Sequence, residues 1–540
     1  MRFRLPVLVS LLALAAPAFA QEPTFSPDAI RADVTFLADD LLEGRDAGTR
    51  GYDIAARFVA ARFAALGLTQ AVKDSWYQPV TLALADLDKT APAALTIGGQ
   101  RFANGTDVAI AGFGREAKQS IAAGAVFVGY GLQSDREKID DYAGLDLKGK
   151  FAVALSGSPV GMPSEVGAHL AAEKALAAQK AGAIGLITLP SPSLLARMPW
   201  DKLRERSNDP VVSWIDGQGQ PYVRTPAIRA TATVHGPAAE ALFAGSRGNL
   251  AAILEQAGKK GGRPKGFALQ PLVTLERASS VSTAPSANVL AMLPGSDPTL
   301  AHEYVLLMAH LDHNGVKQSA KGDDKIYNGA MDNASGTATM LAVAKAFTEG
   351  GARPKRSILF AAVTAEEDGL LGSQYLAKHP VLPAGGKLVA VVNLDMPILT
   401  YDFQDVVAFG AEHSTLGPIV DRAAQSVGVA LSPDPLPAEG LFTRSDHYRF
   451  VQEGVPAVFL MTGFAGPGKA AFEHFLKTQY HQPSDQIDLP FNWNAAAKFA
   501  RVNYAIARQI ADAPEAPRWY AQDFFGDAFA ADQPKAPSPK

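Results

Sequence analysis

V-L-L-M-A-H-L-D-H (305–313), G-A-M-D-N-A-S-G (329–336) and S-I-L-F-A-A-V-T-A-E-E-D-G-L-L-G-S (357–373) follow one another in a single stretch. Two apolar runs in it end in metal-capable side chains. His310 closes the first, and the adjacent Glu366 and Glu367 follow the second. Between them Asp332 sits where a loop meets a helix of small residues. Downstream, V-A-V-V-N-L-D (389–395) ends in Asp395, and Q-Y-H-Q-P-S-D (479–485) carries His481.

Working outward, near-continuous apolar runs alternate with helical patterns from about Ser286: A-N-V-L-A-M-L, Y-V-L-L-M-A, S-I-L-F-A-A-V, L-V-A-V-V-N-L and A-V-F-L-M. Strands apolar on both faces and separated by helices predict an α/β fold, a mostly parallel mixed sheet flanked by helices. Ligands bind such a sheet beyond the carboxyl ends of its strands. His310, Glu366/Glu367 and Asp395 each occupy that end of a predicted strand, so their loops converge without special folding.

Upstream, I-R-A-D-V-T-F-L-A-D-D-L-L and Y-D-I-A-A-R-F-V-A-A-R-F-A-A-L carry apolar residues at helical spacing, and Gly67 is placed to cap the second helix. From Trp76 to about Gly114 short alternating runs read as strands. A different texture covers 115–265, with glycine-bounded β runs (G-A-V-F-V-G-Y-G-L, G-K-F-A-V-A-L-S-G, A-I-G-L-I-T-L) and one helix before the last of them. The expected division is a signal peptide (1–20), N-terminal helices and strands of the catalytic unit (21–114), a β-rich insert (115–265), the catalytic unit (266–515) and a partly disordered tail (516–540).

At 540 residues the chain needs several domains. Its 47% hydrophobic and 19% charged residues are those of a globular protein, and a net charge of −4 offers no basic field for nucleic acid. Arg2 and Arg4 precede an apolar run too short to span a bilayer, and Ala18-Phe19-Ala20 fits a cleavage site. The expectation is an exported protein, periplasmic or secreted, with no membrane insertion after cleavage. The chain has no cysteine, so it is neither disulfide-stapled nor lipid-anchored on cysteine. The oligomeric state is left open.

Imidazole and carboxylate donors without thiolate suit zinc. Three ligand carboxylates against one dication would leave net negative charge in a buried site, which is costly, so two ions are favoured. Two ions ~3.5–4 Å apart need a bridging ligand, and a short aspartate at a helix start suits that role. Adjacent glutamates at a strand end point in opposite directions, so one can bind metal while the other takes a proton from water. Asp312, two residues beyond His310, is placed to orient its imidazole. Lone histidines at strand ends are more often structural, and His313, His379, His413 and His474 are left unassigned. His447 reads equally as packing or support, and Asp446 as a loop-stabilising residue.

Six motifs, H-L-D (310–312), D-N-A-S-G (332–336), A-E-E-D-G-L-L-G-S (365–373), N-L-D-M (393–396), R-S-D-H-Y-R-F (444–450) and Y-H-Q-P-S-D (480–485), together resemble the M28 zinc peptidases. D-D-Y-A-G-L-D-L-K-G-K, followed by K-A-L-A-A-Q-K-A-G-A-I-G-L-I, resembles the protease-associated domain, an insert that covers the active sites of some exported peptidases. The resemblance implies one zinc on His310, Asp332 and Asp395, and another on Asp332, Glu367 and His481. It implies Glu366 as general base and acid, Tyr480 as donor to the developing oxyanion and Arg444 as a substrate contact. Peptides are the implied substrates, and an aminopeptidase the implied activity, with a glutamate-carboxypeptidase-like enzyme as the alternative. Met331 departs from the pattern, since many members carry an acidic residue there.

Overall fold

The computed structural model describes residues 23–320 and 322–539, so the expected signal peptide lies outside the described residues. A large mixed sheet forms the body. Five of its strands are labelled here: β1 (Val273–Leu293), β2 (Glu303–His310), β3 (Ser357–Val363), β4 (Lys387–Leu394) and β5 (Ala457–Thr462). They run in the order β1-β3-β2-β4-β5. The four from β2 to β5 are parallel, and β1 pairs antiparallel with β3. Every residue of β2, β3 and β5 is buried, so both faces of the sheet are covered, as their unbroken apolar runs require.

Helices α1 (Pro27–Leu37) and α2 (Arg50–Ala65) begin at Ser26 and Thr49, whose side chains accept from Ala29 N and Tyr52 N. Gly67 follows α2 with φ +69°, the left-handed turn that ends a helix without strain in glycine. Ile30, Val34 and Leu37 put one apolar stripe of α1 into the core, each worth ~1.5–3 kcal/mol of burial. Among the described residues, no helix is long and apolar enough to cross a membrane.

The inserted segment builds a second, six-stranded sheet. Its strands 125–127, 151–155, 185–189 and 230–234 are parallel, and several helices accompany them. The unit is therefore α/β, since neighbouring parallel strands need crossovers. The one helix expected here is two, α3 (Ser164–Ala172) and Lys174–Lys180. A short helix, α4 (Pro192–Arg197), follows. The sheet borrows strands at 108–109 and 267–268, just outside 115–265, while 211–214 inside those bounds joins the large sheet. β1, 21 residues long, pairs at its start with 118–123 and at its end with β3. The two units are thus woven together rather than joined by a linker.

α5 (Ser335–Glu349) and α6 (Trp493–Asp512) cover the sheet beside β2. The tail is not the partly disordered segment expected at 516–540. Its first part packs on the body: Trp519 and Phe525 are buried, and Trp519 Nε1 donates to the Gly454 carbonyl at 2.9 Å. Its lysines and prolines hid two aromatic anchors. A helix, α7 (Phe524–Phe529), follows Asp523.

Tail, insert and body meet at His413. Its Nδ1 lies 2.7 Å from Asp523 and its Nε2 3.0 Å from Glu165 on α3. Nearby, His169 of α3 bonds the Tyr448 hydroxyl at 2.7 Å. Burial pulls the His413 pKa down, but its hydrogen bonds to Asp523 and Glu165 and the surrounding carboxylates outweigh it and raise it to about 10. A pKa raised on folding stabilises fully below the unfolded value of 6.5, and that stability is lost as pH rises through about 10. His413→Gln is therefore expected to lower the melting temperature most at and just below pH 6.5, by the equivalent of about a few kcal/mol. The gap from the natural protein should shrink towards pH 10 in thermal melts; a pH-independent gap contradicts the clamp.

Candidate metal centre

β2, β3 and β4 are parallel, so their carboxyl ends share one edge of the sheet. His310 is the last residue of β2, Glu366 and Glu367 follow β3, and Asp395 follows β4. Asp332 lies in the tight segment Ala330–Ala334 that leads into α5. His481 comes from the loop after helix Gly468–Thr478 and has φ +53°. The edge gathers all of them.

Two donor sets result, joined by Asp332. His310 Nε2 is 3.1 Å from Asp395 Oδ1 and 3.3 Å from Asp332 Oδ1. His481 Nε2 is 3.2 Å from Asp332 Oδ2 and 3.1 Å from Glu367 Oε2. Each set has two carboxylate oxygens and one imidazole nitrogen, and each takes a different oxygen of Asp332. Such sets fit a borderline dication each. Charge points the same way. Burial pulls the His310 and His481 pKa values down, but the carboxylates around them override it, taking His310 well above its ordinary value and His481 to about 10. An imidazolium and a cation answer the same excess of buried negative charge.

The loops hold these groups from behind. Asp485 accepts from the backbone amides of Met331 at 2.8 Å and Asp332 at 3.0 Å, so the loop that supplies His481 also fixes Asp332. Asn333 donates to the Leu394 carbonyl at 2.9 Å and accepts from Met396 N at 3.2 Å, tying the start of α5 to the Asp395 loop. Gly336 has no room for a side chain. A Cβ there would lie 2.1 Å from Asn333 Oδ1 and 2.3 Å from the Leu394 carbonyl. Ser445 donates to Asp395 Oδ2 at 2.5 Å. Thus D-N-A-S-G is one donor and the scaffold that aims it. Met331, where an acidic residue was expected, is fully buried, and its sulfur accepts from Leu399 N at 3.4 Å.

Asp312 acts differently from the expectation. Its carboxylate does not meet the His310 ring; its backbone carbonyl does, 3.2 Å from Nδ1. The carboxylate instead accepts from Glu366 N at 3.1 Å and Glu367 N at 3.2 Å. It positions the glutamate pair, because the β3 loop crosses directly over it. Glu366 lines the same cavity as His310, Asp332, Asp395, Tyr480 and His481. Burial raises its pKa well above the carboxylate range, against the pull of His310 and with the help of Glu367. Tyr480 stacks on His481 at 3.9 Å between ring centroids, and burial raises its pKa, so it stays a phenol. Arg444 lies at the cavity mouth, 3.4 Å from Glu439. Asp446 and His447 are buried; burial raises Asp446 to about 6 and lowers His447 to about 3. His447 packs between Phe442 and Phe459.

Two residues here escaped the sequence reading. His313 Nδ1 is 2.6 Å from Glu367 Oε1, opposite the oxygen that faces His481. The only signal was its spacing of three from His310. Arg45, in the charged run E-G-R-D-A-G-T-R, is fully buried beneath the site. It donates to the carbonyls of Leu37, Leu311 at 2.9 Å, Asn328 at 2.6 Å and Gly329 at 3.1 Å. Burial lowers its pKa to about 10 while Asp312, Asp485, Asp332 and Glu367 hold it up, so it stays charged at neutral pH. It pins the loops before His313 and Asp332 to the end of α1. Arg45→Met is expected to lower stability by ~3–5 kcal/mol, read as the urea midpoint. An unchanged midpoint contradicts this role.

Residues 288–507 match the model of Peptidase family M28. Leupeptin-inactivating enzyme 1 of Streptomyces exfoliatus is 30% identical over 193 residues, 35% of this chain and 39% of that protein. "Probable leucine aminopeptidase 2" of Aspergillus fumigatus is 30% identical over 191 residues, 34% of this chain and 35% of that protein. The chain spans well under half the length of these curated relatives. The solved aminopeptidase from Aneurinibacillus sp. strain AM-1 shares the fold with a TM-score of 0.50 and 20% identity, covering 91% of this chain and 95% of that one.

Proposed function

We propose that this chain, whose residues 288–507 form a peptidase family M28 domain, is an exported di-zinc exopeptidase that hydrolyses N-terminal residues from peptides. The observation that carries the reading is the division of Asp332 between two donor sets, one oxygen to each. Zinc would be held by His310, Asp332 and Asp395 on one side and by Asp332, Glu367 and His481 on the other. Export rests on the basic, apolar and small-residue pattern of residues 1–20. The segment 115–265 is read as a protease-associated unit walling the cleft.

When bound, the ions supply Lewis acidity to the scissile carbonyl and the attacking water. The chain does the rest. Asp312 holds the backbone of the glutamate pair, so Glu366 faces the cavity while Glu367 faces the donor set. The Glu366 carboxylate takes the proton of the attacking water and passes it to the leaving nitrogen. Its raised proton affinity, from burial first, lets it keep the proton between the two transfers. The Tyr480 hydroxyl donates to the oxygen that becomes negative. Phe459, Met461, Phe472 and Leu476 give the cavity an apolar wall suited to an apolar side chain on the released residue.

A second reading, a glutamate-carboxypeptidase-like enzyme, draws support from Arg197 and Arg444, which line the mouth of the same cavity. Leucine anilide, its N-acetyl form and an N-blocked peptide ending in glutamate separate the two. Turnover of the first alone is expected; release of the last residue of the blocked peptide supports the second reading. Glu366→Gln should keep both metals and lower kcat by ~10²–10⁴-fold, whereas Glu367→Ala should lose metal. Metal analysis showing the reverse would mean their roles are exchanged.

A further inference from the structure

The mouth of the catalytic cavity is built from two units. Arg444 comes from the loop between Pro437 and Arg444, and Arg197 ends α4 of the inserted unit. Both guanidiniums lean on the same oxygen, Glu439 Oε2, at 3.4 Å and 3.9 Å. One carboxylate thus faces two cations, and one positive charge is left over. Each guanidinium carries five N–H donors, and one shared oxygen engages few of them. Both side chains are more than half exposed and line the cavity, so they can take another partner.

Their placement is fixed rather than casual. α4 is capped by Ser191, which is buried and bonded to Ser156 at 3.1 Å within the insert. The Arg444 loop turns at Gly440, with φ +58°, against α3, where a Cβ would lie 3.3 Å from Ala168. α3 is itself held by the Glu165–His413 and His169–Tyr448 contacts. The insert therefore presents one arginine directly and buttresses the loop that presents the other.

We infer that Arg197 and Arg444 form a binding site for the carboxylate of a short peptide whose scissile bond lies at the metal centre. The inference rests on the exopeptidase reading and deepens it. Glu366, the carboxylate at the floor of the cavity that is not assigned to metal, and the basic rim suit a ligand that is cationic at one end and anionic at the other. A short peptide with both ends free has that polarity. The cavity, about 460 Å³, is of the size that holds small ligands, ~300–1,000 Å³. Paired guanidiniums recognise a carboxylate through forked hydrogen bonds.

The test compares Leu-Gly, its C-terminal amide and the amide of Leu-Glu on zinc-loaded protein. The natural protein is expected to favour Leu-Gly over its amide by about tenfold in kcat/KM, through KM. Arg197→Ala should bring the ratio near one, and Arg197→Lys should keep part of it. An advantage for Leu-Gly over both amides places the carboxylate at the chain end. An equal advantage for Leu-Glu amide places it on an acidic side chain. Calorimetric binding of the same peptides to Glu366→Gln is read in parallel, so that an inactive natural protein sinks the exopeptidase reading while the affinities still decide the clamp. No preference for a carboxylate in either measurement, or a preference that survives Arg197→Ala, overturns it.

Discussion

Asp332 must hold each of its oxygens against a different partner set, and much of the catalytic unit serves that constraint. A carboxylate that could rotate would serve one set at a time. Asp485 grips the backbone amides of Met331 and Asp332, the side chain of the following residue, Asn333, ties the segment to β4, and Gly336 lets α5 approach close enough for that tie. None of these groups touches the opposite donors. They act by removing freedom from the segment between Gly329 and α5, which is how a constellation becomes preorganised.

The cost of this arrangement is charge. Asp312, Asp332, Glu366, Glu367 and Asp395 crowd one sheet edge, and buried carboxylates without partners are strongly unfavourable. The structure answers in two ways. Arg45 places a permanent cation below the site while spending its hydrogen bonds on backbone carbonyls rather than on the acids. The remaining excess faces His310, His313 and His481, and it is this excess that fits dications.

How far the sequence revealed this follows from the kind of signal each residue leaves. His310, Glu366, Glu367 and Asp395 were legible because each ends an apolar run, and parallel strands deliver their carboxyl ends to one edge. Asp332 was legible from the small residues after it. Asp312 was found but given the wrong partner, because spacing along a strand does not tell which loop will cross above it. Arg45 was invisible: its partners are carbonyls, which carry no residue identity. Arg197 was hidden because it reaches the cleft from another unit, and only the placement of the insert brings it there. The tail misled through composition, since the prolines and lysines of its last residues give no sign of the aromatic anchors Trp519 and Phe525 that decide its packing.

The central claim is that one aspartate joins two metal positions. Anomalous diffraction at the zinc edge from crystals of the zinc-loaded protein tests it most directly. The account predicts two peaks flanking the Asp332 carboxylate, ~3.5–4 Å apart, one beside His310 and Asp395 and one beside Glu367 and His481. A single peak, or a second peak bound without Asp332, contradicts it.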